Sequence, residues 1–224
     1  MGPSSVERKI WVAVTGAFLC VFLVVHLAGN VILFLPPDEA RATYNAYSAF
    51  LVGNPLIKVV SYVLYAAVLK HVAVSIILAR RNRAAAGPKR YLRDEPAQTS
   101  AWASRNMMAL GLVLLLFLVL HMRTFWYEYH FGTLGTDAQG HRDLYAVVVE
   151  AFSRPWYVAI YVASMAALGL HLVHGVGSAG TTLGVNRPRD AKIVRRAGIA
   201  FALVTSLAFA ALPLWMYLTA GGRT

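Results

Sequence analysis

Five long apolar stretches, separated by polar connections, organise the chain: Ile10–Leu35, Leu56–Ala79, Asn106–Trp126, Pro155–Gly177 and Ala197–Thr219. Each is about 20 residues or longer, and a helix rising 1.5 Å per residue then crosses a hydrocarbon core of about 30 Å. The pattern predicts an all-α membrane protein, one domain over residues 1–224, with a four-helix bundle and a fifth helix. Five crossings put the termini on opposite sides. The first stretch is expected to be retained, being too long for a signal peptide and lacking a clear cleavage site after it. Pro213 is expected to kink the last helix, which carries no charged side chain between Arg196 and Arg223.

The connections fit that plan. Residues 84–100, with Gly87, Pro88 and Pro96, read as a surface segment facing a partner. Residues 127–154, with Gly132, Gly135 and Gly140, read as a longer loop. Its start, Phe125-Trp126-Tyr127, has the aromatic character of a membrane interface. The chain shows no internal repeat beyond the hydropathy itself.

Composition agrees. Of 224 residues, 58% are hydrophobic before the 17 glycines are added, and 14% are charged. A soluble domain has about 45–50% apolar residues with glycine included and about 25% charged ones. An ordinary soluble enzyme, a disordered tail and a secreted disulfide scaffold are thereby excluded. The one cysteine, Cys20, lies inside an apolar stretch and forms no intrachain disulfide.

The net charge of +11 could suggest nucleic acid, so its distribution matters more than its sum. Arg8, Lys9, the seven basic residues between Arg80 and Arg105, and the five between Arg187 and Arg196 put fourteen cations on one side. The other side has Arg41, Lys58, Arg123, Arg142, Arg154 and Arg223 beside Asp38, Glu39, Glu128, Asp137, Asp143 and Glu150. The basic side is therefore expected to be cytoplasmic, with the N-terminus inside and the C-terminus outside. Topology accounts for the charge, and no basic–aromatic pattern for nucleic acid is present.

Five of seven histidines lie in the apolar stretches: His26, His71, His121, His171 and His174. A histidine in hydrocarbon is costly without a partner and is a functional candidate by default. Counted from the start of their stretches, His26 and His171 stand 16 residues in, and His71 and His121 stand 15 in. Successive helices run in opposite directions, so these late positions alternate between sides. His26 and His121 share the outer half; His71 and His171 share the cytoplasmic half. That is what bis-histidine haem b needs, because its iron takes one imidazole from each side of a flat macrocycle. The two levels differ by roughly 15–20 Å.

Competing readings are weaker. Single histidines can act as polar glue between helices. A histidine-relay transporter would need acidic partners, and the apolar stretches contain no Asp or Glu. A zinc site gathers its ligands at one depth. On the fourth helix His171 and His174 share a face, so either can ligate, and His174 can instead bond a propionate or quinone. His130 and His141 read as solvated. Lys70, Arg80 and Arg81 are candidates for the inner haem's propionates, and Lys58 and Arg123 for the outer one's, against ordinary snorkelling. Trp11, Trp102, Arg105 and Asn106 are candidates for quinone, against plain interfacial anchoring.

These residues resemble a known family, the single-chain dihaem cytochrome b anchors of succinate:quinone oxidoreductases and related fumarate reductases. The likeness covers nearly the whole chain. It rests on five spans with a histidine in each of the first four, and on His26-Leu-Ala-Gly-Asn30, His121-Met-Arg-Thr-Phe-Trp126 and His171-Leu-Val-His-Gly175. Ser178 and Leu183-Gly184 follow the last motif. The resemblance implies an outer haem on His26 and His121 and an inner one on His71 and His171, the glycine at 175 favouring His171 over His174. It implies a respiratory complex II of the tricarboxylic acid cycle, in the cell's inner (cytoplasmic) membrane, as a multi-pass subunit. Electrons from succinate would reach quinone, menaquinone by analogy, through the two haems. Succinate oxidation would belong to a flavoprotein partner, with an iron–sulfur partner as relay. This chain has no Gly-rich dinucleotide fingerprint and no cysteine cluster, so FAD and Fe–S clusters would reside on those partners, docked on the cytoplasmic face. A higher oligomer is compatible with the family. Some dihaem fumarate reductases carry a glutamate two residues before the fourth ligand; here that residue is Gly169. The alternatives are the cytochrome b anchor of another quinone-linked dehydrogenase, which typically pairs haem histidines on one helix, and a haem-free transporter.

Overall fold

A computed structural model describes residues 4–85, 100–185 and 191–219, with the side chains of residues 85, 100–104 and 191 outside that description. All its elements are helical. The first long helix, α1 (Ser5–Asn30), opens on a capping box in which Ser4 and Glu7 satisfy each other's backbone N–H groups. A 3-10 turn, Val31–Phe34, ends it. The others are α2 (Pro37–Gly53), α3 (Pro55–Ala85), α4 (Ser100–His121), α5 (Glu128–Phe131), α6 (Leu144–Phe152), α7 (Pro155–Thr182) and α8 (Ala191–Thr219). A π-helical turn, Met122–Tyr127, joins α4 to α5.

Five segments are long and apolar enough to cross a membrane: Ser5–Phe34, Pro55–Ala84, Arg105–Phe131, Pro155–Thr182 and Lys192–Thr219. Most overrun the apolar stretches at their basic ends, since Arg and Lys are good helix formers and continue a helix into water. Pro213 lies buried within α8, which runs on to Thr219.

The helix packing puts α7 at the centre. It lies against α1, α4 and α8, while α3 packs on α1 and hardly touches α4. Within the group α1, α3, α4 and α7, therefore, α1 stands across from α4, and α3 across from α7. The fifth crossing helix, α8, backs α7.

Three helices, α2, α5 and α6, occupy regions where the sequence pattern suggests only loops. A prolyl residue and two carboxylates (Pro37, Asp38, Glu39) start α2, as suits the positive end of a helix. The segment expected as an outer loop contains α5 and α6, with a small turn bridged between Thr136 and Arg142. Asp143 caps α6 and holds α2 to it. Its Oδ1 accepts from Asn45 Nδ2 at 2.8 Å and from the Ala146 N–H, while Oδ2 accepts from Arg41 Nε at 3.0 Å in an ion pair. Asn45, fully buried, accepts the Tyr145 N–H at 2.9 Å. Burial pushes the Asp143 carboxyl up, but the hydrogen bonds from Arg41, Asn45 and Ala146 outweigh it and hold the group below its ordinary value.

The main hydrophobic cluster lies beneath this cap, where Val148, Phe152, Tyr157, Tyr161 and Met216 meet. We refer to this as the capped end. The other end, carrying the start of α1, is the open end.

Candidate functional site

Two histidine pairs lie inside the bundle, one towards each end. His26 of α1 faces His121 of α4 with ring centres 5.8 Å apart and planes at 87°. His71 of α3 faces His171 of α7 with ring centres 6.5 Å apart and planes at 65°. Each pair joins helices that stand across the bundle from each other, so each leaves its rings in the interior rather than in a helix seam.

The vertical spacing can be measured along three helices. The His71 ring lies beside Gly16, whose position would put a Cβ 3.3 Å from His71 Cε1. A Cβ at Gly111 would stand 3.9 Å from His171 Cε1. At the capped end, Tyr161 Oη lies 3.3 Å from His121 Nδ1. Gly16 and His26, Gly111 and His121, Tyr161 and His171 are each ten residues apart, or about 15 Å at 1.5 Å per residue. Three separate helices therefore give one separation.

Hydroxyl groups hold the outer nitrogens. Thr15 Oγ1 donates to the Trp11 carbonyl at 2.7 Å, so its oxygen is left to accept from His71 Nδ1 at 3.1 Å. That bond assigns the proton to Nδ1 and leaves the Nε2 lone pair free. The Tyr161 hydroxyl bonds His121 Nδ1 and continues through Tyr157 (3.4 Å) to Thr124 in the π turn, 2.5 Å from Tyr157 Oη. A π turn directly after His121 is the kind of irregularity that marks functional positions. Aromatic rings enclose the capped-end pair: Phe22 stacks on His26 at 5.2 Å, Phe209 of α8 lies at 5.7 Å, and Phe125 meets His121 at 5.3 Å. His171 Nδ1 is buried without a hydrogen-bond partner.

Among the described residues no three His, Cys, Asp or Glu side chains gather as a metal cluster. Two imidazoles are half a zinc site. They are a complete protein contribution to haem iron, whose macrocycle supplies the other four nitrogens. Two imidazoles on opposite sides of one metal, each nitrogen about 2 Å from it, have ring centres roughly 6 Å apart. Both pairs have that spacing, both have hydroxyl-held Nδ1 atoms on one member, and glycines flank the open-end pair. The donor set fits haem b.

The remaining candidates divide. His71 takes His171 as its ring partner, and His174 stands one turn nearer the open end, half-buried. Lys70 places Nζ 2.8 Å above the Trp11 ring, so a propionate candidate and a quinone candidate are joined to each other. Arg123 is paired with Glu128 and lies over Tyr127 at 4.4 Å. Its cation is thus engaged locally at the surface. Lys58, Arg80, Arg81 and Arg105 are exposed, and Asn106 is half-buried. The side chain of Trp102 lies outside the described residues. His130 is exposed and stacks on Trp126, whereas His141 is not simply solvated: its Nδ1 is buried 3.5 Å from Asp137 Oδ2. Gly169 is tightly packed, since a Cβ there would lie 2.9 Å from Ser206 Oγ of α8.

Thr15, Tyr161, Gly16 and Gly111 escape a search for chemistry-bearing residue types. Their one sequence signal is position, about ten residues from a histidine. No family model, no curated protein and no solved structure matches the chain.

Proposed function

We propose that the chain is a membrane cytochrome b holding two haems b, and that it anchors a succinate:quinone oxidoreductase in the inner membrane. The observation that carries the first part is the pairing of four histidines, one from each of four crossing helices, at two heights. The second part rests on the family resemblance of the spans and histidine motifs.

His26 and His121 are the ligands at the capped end, His71 and His171 those at the open end. A haem bound there supplies reversible one-electron chemistry at its iron. Thr15 and Tyr161 bond the Nδ1 atoms of His71 and His121 and orient both rings, and Thr15, by accepting the His71 proton, makes that Nε2 a better donor. The phenyl rings of Phe22, Phe125 and Phe209 exclude water from the capped-end pair. The open end carries the exposed cations of α3 and α8 and faces the flavoprotein and iron–sulfur partners in the cytoplasm, where FAD and the clusters reside. The quinone, menaquinone by analogy, accepts the electrons. The position of Gly169 against Ser206 leaves no room for the glutamate that some relatives carry, which favours succinate oxidation over a design with proton passage at that point.

The experiment is a reduced-minus-oxidised spectrum of the purified full-length chain with haem quantified per polypeptide. Two haems b per chain, reduced by succinate once soluble partners are bound, support the proposal. Two haems that succinate cannot reduce, but another dehydrogenase can, keep the cytochrome and replace the partner. A chain without haem sinks both and leaves a transporter.

A further inference from the structure

Arg8 carries a permanent charge into the interior of the bundle. Its residue exposure is 6%, whereas Lys9, Arg80, Arg81, Arg195 and Arg196 around the same end are exposed. The exposed cations need no more than water and the rule that basic loops stay inside. Arg8 needs another account, because a buried guanidinium without a counter-charge is strongly disfavoured.

Its direction is fixed by the helix. Arg8, Thr15 and His26 of α1, seven and eleven residues apart in turn, fall on one face of the helix, the face that turns His26 to His121. Thr15 on that face holds His71 through Nδ1. Arg8 therefore lies on the interior stripe, about 10 Å along the axis from Thr15 towards the open end. Its Nη1 is sealed from solvent with no hydrogen-bond partner. The neighbouring carboxylate, Glu7, is committed to the Ser4 cap at 2.8 Å, and the other cation nearby, Lys70, lies on the Trp11 ring.

We infer that Arg8 is an oxyanion-binding residue, and that its ligand is a carboxylate of the group held by His71 and His171. The inference rests on the two-haem reading, in which that carboxylate is a propionate of the inner haem. Arg8 then turns the propionate edge of that haem towards the open end. A guanidinium suits this task, presenting paired N–H donors to a carboxylate at fixed geometry. An anionic phospholipid phosphate has the same chemistry and is the competing source.

The test uses the full chain, with haem content per chain, resolved redox titration of both haems, and co-purified lipid measured for wild type, Arg8→Gln and Arg8→Lys. Loss of a cation beside an iron favours the oxidised form. In Arg8→Gln one haem is expected to shift to lower potential or be lost, with the other unmoved, and Arg8→Lys is expected to restore most of the difference. Reconstitution with haem dimethyl ester, which has no propionate charge, is expected to make wild type and Arg8→Gln retain haem equally. A difference in haem retention that persists undiminished with the ester overturns the inference. So do two haems unaltered in Arg8→Gln, or loss of bound anionic phospholipid with both haems intact. Equal loss of both haems in Arg8→Gln and Arg8→Lys makes Arg8 a folding residue and overturns it too. A wild-type chain without haem instead overturns the reading beneath.

Discussion

Thr15 and His71 are joined by a hydrogen bond of 3.1 Å whose direction is set one turn earlier, where Thr15 spends its only proton on the Trp11 carbonyl. Thr15→Val keeps the shape and removes the acceptor. It is expected to weaken metal binding at the open-end pair about 10–100-fold, the usual effect of deleting such a partner. Tyr161→Phe is expected to do the same at the capped end. Haem retention after dilution, read with the potential of each haem, checks both. Thr15→Ser should retain the wild-type behaviour, and an effect of either substitution on the distant pair would count against this role.

Gly16 makes a steric claim on the same ring. A Cβ there stands 3.3 Å from His71 Cε1, so alanine asks the imidazole to yield by a few tenths of an ångström. Valine adds methyl groups where the ring already lies. Gly16→Val is expected to lose the inner haem and keep the outer, with Gly16→Ala between it and wild type. Spectral quantification of haem per chain decides this.

Gly169 and Ser206 make the corresponding claim between α7 and α8. A Cβ at Gly169 comes within 2.9 Å of Ser206 Oγ, a crowding that is expected to cost about 1–3 kcal/mol. Gly169→Ala should lower the thermal unfolding midpoint in detergent, Gly169→Glu should lower it further, and Ser206→Gly should recover the alanine variant. Failure of that rescue would place the cost elsewhere than in this contact.

Much of this is legible in the sequence. The crossing helices follow from the length of the apolar stretches, and the common height of His26 with His121 and of His71 with His171 follows from equal depths in alternate helices, which run the same way. Lateral arrangement does not follow from depth, so neither the diagonal relation of each pair nor the central place of α7 could be read. The α2 helix escaped because its 17 residues mix polar and apolar positions, and α6 because it has only nine; the two dock where Asn45 meets Asp143. Arg8 was indistinguishable from Lys9 as a topology charge, since only packing buries one and leaves the other in water. Thr15 and Tyr161 escaped because a hydroxyl in an apolar stretch signals nothing until its partner is known.

Asp143 gives the cap a dependence on pH. Burial raises its carboxyl, yet the bonds from Arg41, Asn45 and Ala146 win and its folded pKa lies below the unfolded value. The unfolded chain thus binds the proton first. The contribution to stability is complete above the unfolded pKa of about 4 and drains away as pH falls through the lower folded value. Unfolding midpoints of wild type and Asp143→Asn should therefore keep a constant gap well above about pH 4, with wild type the more stable, and converge as the pH falls below it. A constant gap at all pH values would show that the ionised carboxylate is not what docks α2 to α6.

The pairing itself is open to a sharper test than single deletions. In the proposed two-haem reading each haem needs both of its histidines, so residues of one pair act as a unit and their effects do not add. His121→Ala is expected to remove the outer haem and leave one per chain. Adding His26→Ala to it should remove nothing more, because the site is already lost. Adding His71→Ala should instead leave none, and His174→Ala alone should leave two. The cross-pair combination separates this arrangement from its rivals: if His26 shared a metal with His71, the His26→Ala/His71→Ala chain would retain one haem. Haem per chain, measured on protein shown to be helical by circular dichroism, reads all five variants. One haem remaining in that double variant would overturn the pairing that the 5.8 Å and 6.5 Å ring separations support.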